Sequence, residues 1–256
     1  MVKILLTGFE AYGHTPSNPA ESVACMLDGK FIHGPEIIRR IVPNNFSECF
    51  DFVWASIAEI QPDIIVMMGE YGGRATIRVE RIAQNLNDST RYGLADNKGR
   101  SLQGQLTILD GPAAYYAMLA IRAMMKAMRK SGIPPDISDT PGTFCCNHLR
   151  YGILQGIYTN RLPVRAGWIH LPHLPCVAAL PENLGAPSMS VETSGTGVEI
   201  GLRAVLENSR DIDEPIPLGS RSSRLRSGAL PGKSLEKDGP KRKRPKWWIR
   251  YPSSEC

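Results

Sequence analysis

The segment Asp63–Met68, which reads Asp-Ile-Ile-Val-Met-Met, constrains the fold more than any other part of this sequence. Its apolar run is closed by Gly69 and is far too short for a membrane helix. A short, continuous apolar run is typical of a strand that is buried on both faces, as in a parallel sheet. Lys3–Thr7 has the same character and ends at Gly8. The sequence therefore predicts a central sheet that is covered on both sides.

Helical segments alternate with these strands. Asn18 is suited to cap a helix whose first residue is Pro19. We predict further strands at Ile37–Val42, Thr76–Asn85, Ile137–Asp139 and Val164–Ile169, and further helices at Phe46–Ile60, Asp110–Lys130, Cys145–Tyr158 and Val191–Leu206. The alternation predicts the α/β class, as a three-layer α/β/α sandwich with a mostly parallel central sheet.

The basic charge of the chain is concentrated near its C-terminal end. Residues 209–256 hold 12 of the 30 Lys and Arg and 6 of the 25 Asp and Glu, so 18 basic and 19 acidic residues remain in 1–208. The end segment is rich in Pro, Gly and Ser and has no amphipathic period. Such a segment cannot bury enough apolar surface to offset its conformational entropy. We therefore predict a folded domain at 1–208 and a disordered basic tail at 209–256.

The cysteine pattern indicates a reducing compartment. The six cysteines form no CxxC pair and no His/Cys spacing suited to zinc, so we expect reduced thiols and no metal. Reduced thiols are typical of a cytoplasmic protein. The apolar run at the N-terminus is too short for a secretion signal, and no run approaches the roughly 20 residues of a membrane helix. We expect neither secretion nor membrane insertion.

Two adjacent thiols, Cys145 and Cys146, lie where a predicted strand and turn lead into a helix. The helix dipole and free N–H groups at such a position favour a thiolate, and later an oxyanion. Most cysteines at such positions are small packing residues, and the position does not separate the two neighbours. A nucleophilic thiol also needs a base and a group that orients the base.

His170 and Glu80 are the candidates for those two roles. His170 follows an apolar strand, at the sheet edge where catalytic groups of α/β proteins gather. Glu80 lies in a strand-like run, and a carboxylate in a buried strand usually has a partner. The alternative is an exposed Glu80 that pairs with Arg78 or Arg81.

Five motifs, taken together and in order, resemble pyroglutamyl peptidase I, a family of cysteine peptidases. The motifs are Leu6–Gly13 with Asn18-Pro19, Gly72-Gly73-Arg74, Val79–Asn85, Gly142–His148 and Gly167–Pro172. They cover 1–208, which the resemblance identifies as the catalytic domain. The resemblance implies hydrolysis of the N-terminal pyroglutamyl residue of peptides through a thioester, without a cofactor. It also implies a homo-oligomer, often a tetramer.

The resemblance assigns roles to individual residues. The Cys–His–Glu triad of the family falls on Cys146, His170 and Glu80, and the family pattern selects Cys146 over Cys145. Arg91 resembles an arginine that the family places near the scissile carbonyl.

Pyroglutamate is a neutral lactam, so its pocket should be mostly apolar with a few hydrogen bonds. The residues that resemble those of the pocket are Phe9, Tyr12, Phe144, Cys145 and Glu70. Glu70 stands where the family often has glutamine, and an ionised Glu70 would need a partner, such as Arg74, or a raised pKa.

Two other functions are compatible with the sequence. The tail could bind nucleic acid through Lys241–Arg250, with Trp247 and Trp248 stacking on bases. The near-neutral body favours a solvated tail over a nucleic-acid site. The second alternative is a re-specialised or inactive hydrolase on the same scaffold.

Overall fold

The structure is a computed structural model that describes residues 2–13 and 15–216. Its centre is a six-stranded sheet with the order β2-β1-β3-β8-β4-β7. The strands of this sheet are β1 (Lys3–Phe9), β2 (Glu36–Val42), β3 (Ile64–Glu70), β4 (Ile77–Glu80), β7 (Pro135–Ser138) and β8 (Arg165–Leu171). β1, β2, β3 and β8 run parallel, whereas β4 is antiparallel to β8 and parallel to β7. The mostly parallel sheet is confirmed, with one antiparallel junction.

Helices cover both faces of the sheet. The long ones are α1 (Pro19–Leu27), α2 (Cys49–Ile60), α3 (Ile121–Lys130), α4 (Cys145–Asn160) and α6 (Val191–Glu207), and α5 (Pro175–Ala178) is a single turn. One apolar core lies between the sheet and α1, α3 and α6, and a second lies between the sheet and α2 and α4. All seven residues of β3 are buried, which explains its unbroken apolar run. The predicted α/β/α sandwich is confirmed.

The start of α1 follows the predicted capping pattern. The side chain of Asn18 accepts a hydrogen bond from the N–H of Ala20 at 2.9 Å, and Pro19 occupies the first helical position. Asn18 thereby satisfies one of the free N–H groups at the helix start.

The predicted helix from Asp110 to Lys130 is wrong in its first half. Ala114–Tyr116 forms a strand, β6, which pairs antiparallel with β5 (Ile82–Gln84), and α3 begins only at Ile121. The ring of Tyr115 stacks on Tyr158 of α4 with centroids 4.9 Å apart. Aromatic residues fit a pleated strand better than a helix when such packing partners are present.

The predicted strand Thr76–Asn85 is broken at Arg81. The N–H of Arg81 donates to the carbonyl of Ser138 at 2.6 Å, while its carbonyl accepts from the N–H of Ala117 at 2.8 Å. Arg81 thus links the two sheets, and the chain passes at this residue from β4 into β5.

Residues 208–216 contact the sandwich. The guanidinium of Arg165 donates to the carbonyl of Asn208 at 3.0 Å. The carboxylate of Asp211 accepts from the N–H groups of Arg122 and Ala123, at 2.9 and 3.1 Å. The division at residue 208 stays a prediction, because 217–256, including Lys241–Arg250, lie outside the described residues.

Two further observations concern the described residues only. The cysteines among them, Cys25, Cys49, Cys145, Cys146 and Cys176, are all free thiols. In the same part of the chain, no helix has the length and apolar character needed to cross a membrane.

Candidate active site

A cavity of about 250 Å³ opens at one edge of the main sheet. Its walls come from the C-terminal ends of β1, β3 and β8, the loop after β2, the loop around Tyr92, and the turn that leads into α4. The residues that line it are Phe9, Tyr12, Asn18, Asn44, Glu70, Tyr71, Gly72, Tyr92, Leu94, Pro141, Gly142, Thr143, Phe144, Cys146 and His170. The carboxyl edge of a parallel sheet is the usual place for a site in this fold class.

Glu80 and His170 form a buried pair. The Glu80 Oε1 and His170 Nδ1 atoms are 2.9 Å apart, and the two side chains are 0% and 1% exposed. Glu80 lies directly opposite Trp168 on β8, so His170 is its diagonal neighbour on the same face. The antiparallel junction between β4 and β8 therefore produces this contact. The alternative of an exposed Glu80 is wrong, because Arg78 bonds to Ser138 and Arg81 pairs with Asp139 instead.

Cys146 lies in the first turn of α4 and lines the cavity, as His170 does. Gly69 of β3 is the residue paired with His170, and it leaves the space in which the thiol sits. A methyl carbon added at Gly69 would lie 2.9 Å from Cys146 Sγ and 3.4 Å from His170 Cδ2. The thiol and the imidazole thus flank one glycine.

Cys145 occupies a different environment from its neighbour. Its side chain is 0% exposed and packs in the core between the sheet, α2 and α4, and it does not line the cavity. Burial raises the pKa of the Cys145 thiol well above its ordinary value. The structure therefore brings only one of the twin thiols to the cavity.

The electrostatics of Cys146 favour a thiol in the resting site. Burial raises the pKa of Cys146, and the charge of Glu80 raises it further. The helix dipole acts in the opposite direction. The Nε2 atom of His170 is buried and has no hydrogen-bond partner among the described residues. The imidazole therefore keeps one nitrogen free to exchange a proton inside the cavity.

Aromatic rings form the apolar wall, as the sequence predicts. Phe9 packs on Trp168 with centroids 5.8 Å apart, and Phe144 contacts Tyr12 at 6.2 Å and Phe46 at 5.5 Å. Phe9, Tyr12 and Phe144 line the cavity while they also take part in the core. The same three side chains therefore belong both to the apolar core and to the wall of the cavity.

Glu70 lines the cavity as predicted, but its partner is His173 rather than Arg74. The Glu70 Oε1 and His173 Nδ1 atoms are 2.8 Å apart, whereas Arg74 is exposed. Burial raises the pKa of Glu70, and the hydrogen bond with His173 opposes that shift. The other carboxylate oxygen, Oε2, is buried without a hydrogen-bond partner among the described residues. Gly72 leaves the space for the imidazole, because an added Cβ would collide with it.

Arg91 lies away from the cavity wall. It is exposed, and its guanidinium carbon lies 5.1 Å from the centroid of the Tyr92 ring. Tyr92 itself lines the cavity, whereas Arg91 does not and contacts only the Tyr92 ring.

Several lining residues were missed at the level of sequence. Asn44 is one of them: it is 3% exposed, and its Oδ1 atom is buried without a hydrogen-bond partner among the described residues. It follows the end of β2 at the same sheet edge as His170, and that position was the available signal. Tyr71, Tyr92 and Leu94 carry no comparable signal, because loop conformation places them, and Asn18 was predicted only as the cap of α1.

A thiol, an imidazole and a carboxylate at the edge of an α/β sheet, around one partly apolar cavity, are the arrangement of a cysteine peptidase. The chain belongs to the pyroglutamyl peptidase family, whose sequence model matches residues 2–208.

Relatives that are named pyrrolidone-carboxylate peptidase support the assignment. The chain is 56% identical over 217 residues to pyrrolidone-carboxylate peptidases of Mycobacterium bovis and Mycobacterium tuberculosis, which spans 85% of this chain and 98% of each relative. It is 39% identical over 209 residues to pyrrolidone-carboxylate peptidase 2 of Photorhabdus laumondii, which spans 82% of this chain and 94% of the relative.

Solved structures give the same result. Pyroglutamyl peptidase I from Bacillus amyloliquefaciens superposes with a TM-score of 0.79 at 34% identity, covering 84% of this chain and 99% of that one. A mutant pyrrolidone carboxyl peptidase from Pyrococcus furiosus gives a TM-score of 0.76 at 32% identity, covering 80% and 99%. The comparisons do not support the nucleic-acid-binding alternative or the re-specialised or inactive hydrolase.

Proposed function

We propose that this chain hydrolyses the amide bond that follows an N-terminal pyroglutamyl residue of a peptide, with Cys146 as nucleophile. The observation that carries the proposal is the placement of Cys146 and His170 on one cavity wall, with Glu80 buried against His170 at 2.9 Å. Family membership supports the substrate class.

The reaction begins with the transfer of the Cys146 proton to His170 Nε2. The thiolate then attacks the pyroglutamyl carbonyl carbon, and a tetrahedral oxyanion forms. The N–H groups of Cys145 and Cys146 precede the first hydrogen bonds of α4, which begin at Asn147, and they stabilise that oxyanion. Arg91, which is exposed beside Tyr92, has no direct role in this scheme.

His170 returns the proton to the leaving amine, and the C–N bond breaks to leave a thioester on Cys146. A water molecule that gives a proton to His170 then attacks the thioester and releases pyroglutamate and the free thiol. Glu80 accepts the hydrogen bond from Nδ1–H throughout, which orients the ring and stabilises the imidazolium.

The pocket is suited to a neutral lactam ring. Phe9, Tyr12 and Phe144 supply apolar contact, and the unpaired oxygens Asn44 Oδ1 and Glu70 Oε2 are acceptors for the lactam N–H. A mostly apolar cavity with few convergent polar atoms is typical of a small-ligand site. His173 holds the Glu70 carboxylate in place.

Hydrolysis of a pyroglutamyl anilide or coumarin amide tests the nucleophile. We expect Cys146→Ser to lower kcat by at least about 1,000-fold, because a serine hydroxyl ionises far less readily than a thiol and is a weaker nucleophile. Cys145→Val is the matched control. It should keep kcat within about threefold, since valine fills the same buried space without reaching the cavity.

Three outcomes would change the assignment. Near-wild-type turnover by the Cys146→Ser protein would exclude Cys146 as the nucleophile. Loss of activity in Cys145→Val alone would transfer the role to Cys145. A wild-type protein that hydrolyses no pyroglutamyl amide would favour the re-specialised or inactive hydrolase.

A cytoplasmic location and a homo-oligomeric state complete the proposal. The free thiols of the described residues support a reducing compartment. The oligomer, a tetramer in the family pattern, rests on the resemblance, and sedimentation of the full-length chain measures it.

A further inference from the structure

Arg150 is the one fully buried arginine among the described residues. It is 0% exposed and ranks with Trp168 among the largest side chains that are completely enclosed there. Burying a cation without compensation is strongly unfavourable, so its position requires an explanation. No step of the proposed reaction uses Arg150.

The guanidinium of Arg150 contacts the segment that carries Glu80. Its Nη2 atom donates to the carbonyl of Glu80 at 2.8 Å, and its Nη1 atom donates to the carbonyl of Ile82 at 2.9 Å. These carbonyls lie on either side of Arg81, where the chain leaves β4 for β5. The planar guanidinium therefore clamps the backbone at the point from which the Glu80 side chain extends to His170.

Arg150 also belongs to the helix that carries the thiol. It follows Cys146 by four residues on α4, so the two side chains lie one turn apart on one face of the helix. One helix thus places Cys146 at the cavity and Arg150 against the strand of Glu80.

The charges of Arg150 and Glu80 also act on one another. Glu80 is 0% exposed, its Oε2 atom has no hydrogen-bond partner among the described residues, and its negative charge raises the pKa of Cys146. Burial lowers the pKa of Arg150 to about 10, and the charge of Glu80 opposes that shift, so Arg150 is a cation at neutral pH.

The other charged groups around Glu80 do not balance it. Arg78 donates to Ser138 Oγ at 2.7 Å with its guanidinium over the Tyr71 ring, and Arg81 pairs with Asp139 at 3.3 Å. From β8, His170 faces Glu80 through the 2.9 Å contact at Nδ1, and in the proposed reaction it takes the proton of Cys146.

We propose that Arg150 is a positioning residue of this peptidase, whose guanidinium fixes the backbone of Glu80 and balances the Glu80 charge, so that His170 and Cys146 can form an ion pair. The proposal rests on the triad of the proposed function. With Arg150 in place, the ionised site holds two positive and two negative groups. Without it, a net negative charge would remain buried beside the thiolate.

The experiment compares full-length Arg150→Met and Arg150→Lys with the wild type, each with and without Glu80→Gln. Three quantities are measured: kcat and KM on a pyroglutamyl anilide, the rate of Cys146 alkylation by iodoacetamide as a function of pH, and the thermal midpoint. Cys145→Val is the background throughout, so that the alkylated thiol at the site is Cys146.

We expect Arg150→Met to lower kcat by about 10- to 100-fold with KM within about threefold, because positioning and charge act on the chemical step. The alkylation profile should move to higher pH by about one unit, since the thiolate forms beside an unbalanced carboxylate. Arg150→Lys keeps the charge and should restore most of the alkylation profile, with less recovery of kcat because the two-carbonyl clamp is lost.

The Glu80→Gln background separates positioning from simple folding support. With no carboxylate to balance, Arg150→Met should lower kcat by less than about threefold there. An equal loss in both backgrounds, or an unchanged alkylation profile in Arg150→Met, would overturn the proposal.

If Arg150→Met does not fold, the alkylation profile of Arg150→Lys decides. A shift of that profile by as much as about one pH unit despite the retained charge would contradict the proposal. A wild type that lacks peptidase activity would refute the proposed function instead, and the alkylation profiles would still test Arg150.

Discussion

At the scale of single residues, the adjacent cysteines Cys145 and Cys146 lie in different environments. Cys145 and Cys146 are identical side chains at the start of one helix, and a helical rotation of about 100° separates them. That rotation buries Cys145 in the core and brings Cys146 to the cavity beside His170. The face of α4 that meets the sheet therefore determines which of the two thiols lines the cavity.

His148 provides a residue-scale prediction about pH. Burial lowers its pKa to about 4, and the ring of Phe46 packs edge-on against it with centroids 5.4 Å apart. A lowered folded-state pKa means that the stabilisation is present above the ordinary value near 6.5 and is lost as the pH falls towards 4. The folded protein therefore favours the neutral imidazole of His148.

We expect the wild type to lose up to about 3 kcal/mol more stability than His148→Gln between pH 7 and pH 4, because glutamine does not titrate. Urea denaturation at several pH values measures this difference. His33→Gln, at an exposed position, is the control and should follow the wild-type profile. Parallel profiles for the wild type and His148→Gln would show that His148 is not the acid-sensitive group.

At the scale of elements, α4 organises the site through several of its residues. Cys146, Asn147 and Arg150 extend from its first two turns to the cavity, to the segment after β5 and to the end of β4. Asn147 donates from Nδ2 to the carbonyls of Gln84 and Leu86, both at 2.8 Å, and its Oδ1 accepts from the N–H of Gln84 at 2.9 Å. The helix thus holds β5 in place by side-chain hydrogen bonds to backbone.

Replacing Asn147 should therefore weaken the link between α4 and β5. We expect Asn147→Ala to lower the free energy of unfolding by about 2 to 4 kcal/mol, since three part-buried hydrogen bonds are lost and their backbone partners stay unpaired. Asn160→Ala is the control on the same helix, because Asn160 is exposed and makes a single bond to its own turn. It should change stability by less than about 1 kcal/mol. Equal effects of the two substitutions in urea denaturation would argue against this role of Asn147.

At the scale of the whole molecule, residues 209–216 contact helix α3 of the sandwich. Asp211 accepts hydrogen bonds from the first N–H groups of α3, where Ala120 provides no capping side chain. It acts as a helix cap from 89 positions further along the chain than Arg122. Glu214 adds an ion pair with Lys126 on the same helix.

Two truncations test the extent of the domain. A chain that ends at residue 216 should keep peptidase activity and stability, whereas one that ends at 208 should be less stable by about 1 to 2 kcal/mol, since the cap of α3 is lost. Asp211→Ala in the full-length chain should reproduce most of that loss. Equal thermal midpoints for both truncated chains would contradict the capping role.

The same two truncated chains test the nucleic-acid alternative. Salt-sensitive binding of nucleic acid by the full chain but by neither truncated chain would support nucleic-acid binding by the tail as an added function.

The agreement between sequence and structure depends on the range of the interactions involved. The strands β1, β3 and β8 and the start of α1 were predicted because apolar runs and capping residues are local signals. Asp110–Tyr116 was misassigned because pairing between β5 and β6, and stacking of Tyr115 on α4, outweigh local propensity.

The sequence alone was enough to predict the α/β class and the family, and to propose a thiol, an imidazole and a carboxylate for the site, since these depend on local patterns and on motifs in order. Only the tertiary structure decided that β4 runs antiparallel to β8, which brings Glu80 to His170. It also places Cys146, the thiol that the family pattern selects, at the cavity, and it shows that His173, not Arg74, pairs with Glu70. These outcomes depend on how segments far apart in the chain pack together, and periodicity within one segment carries no information about its distant partner.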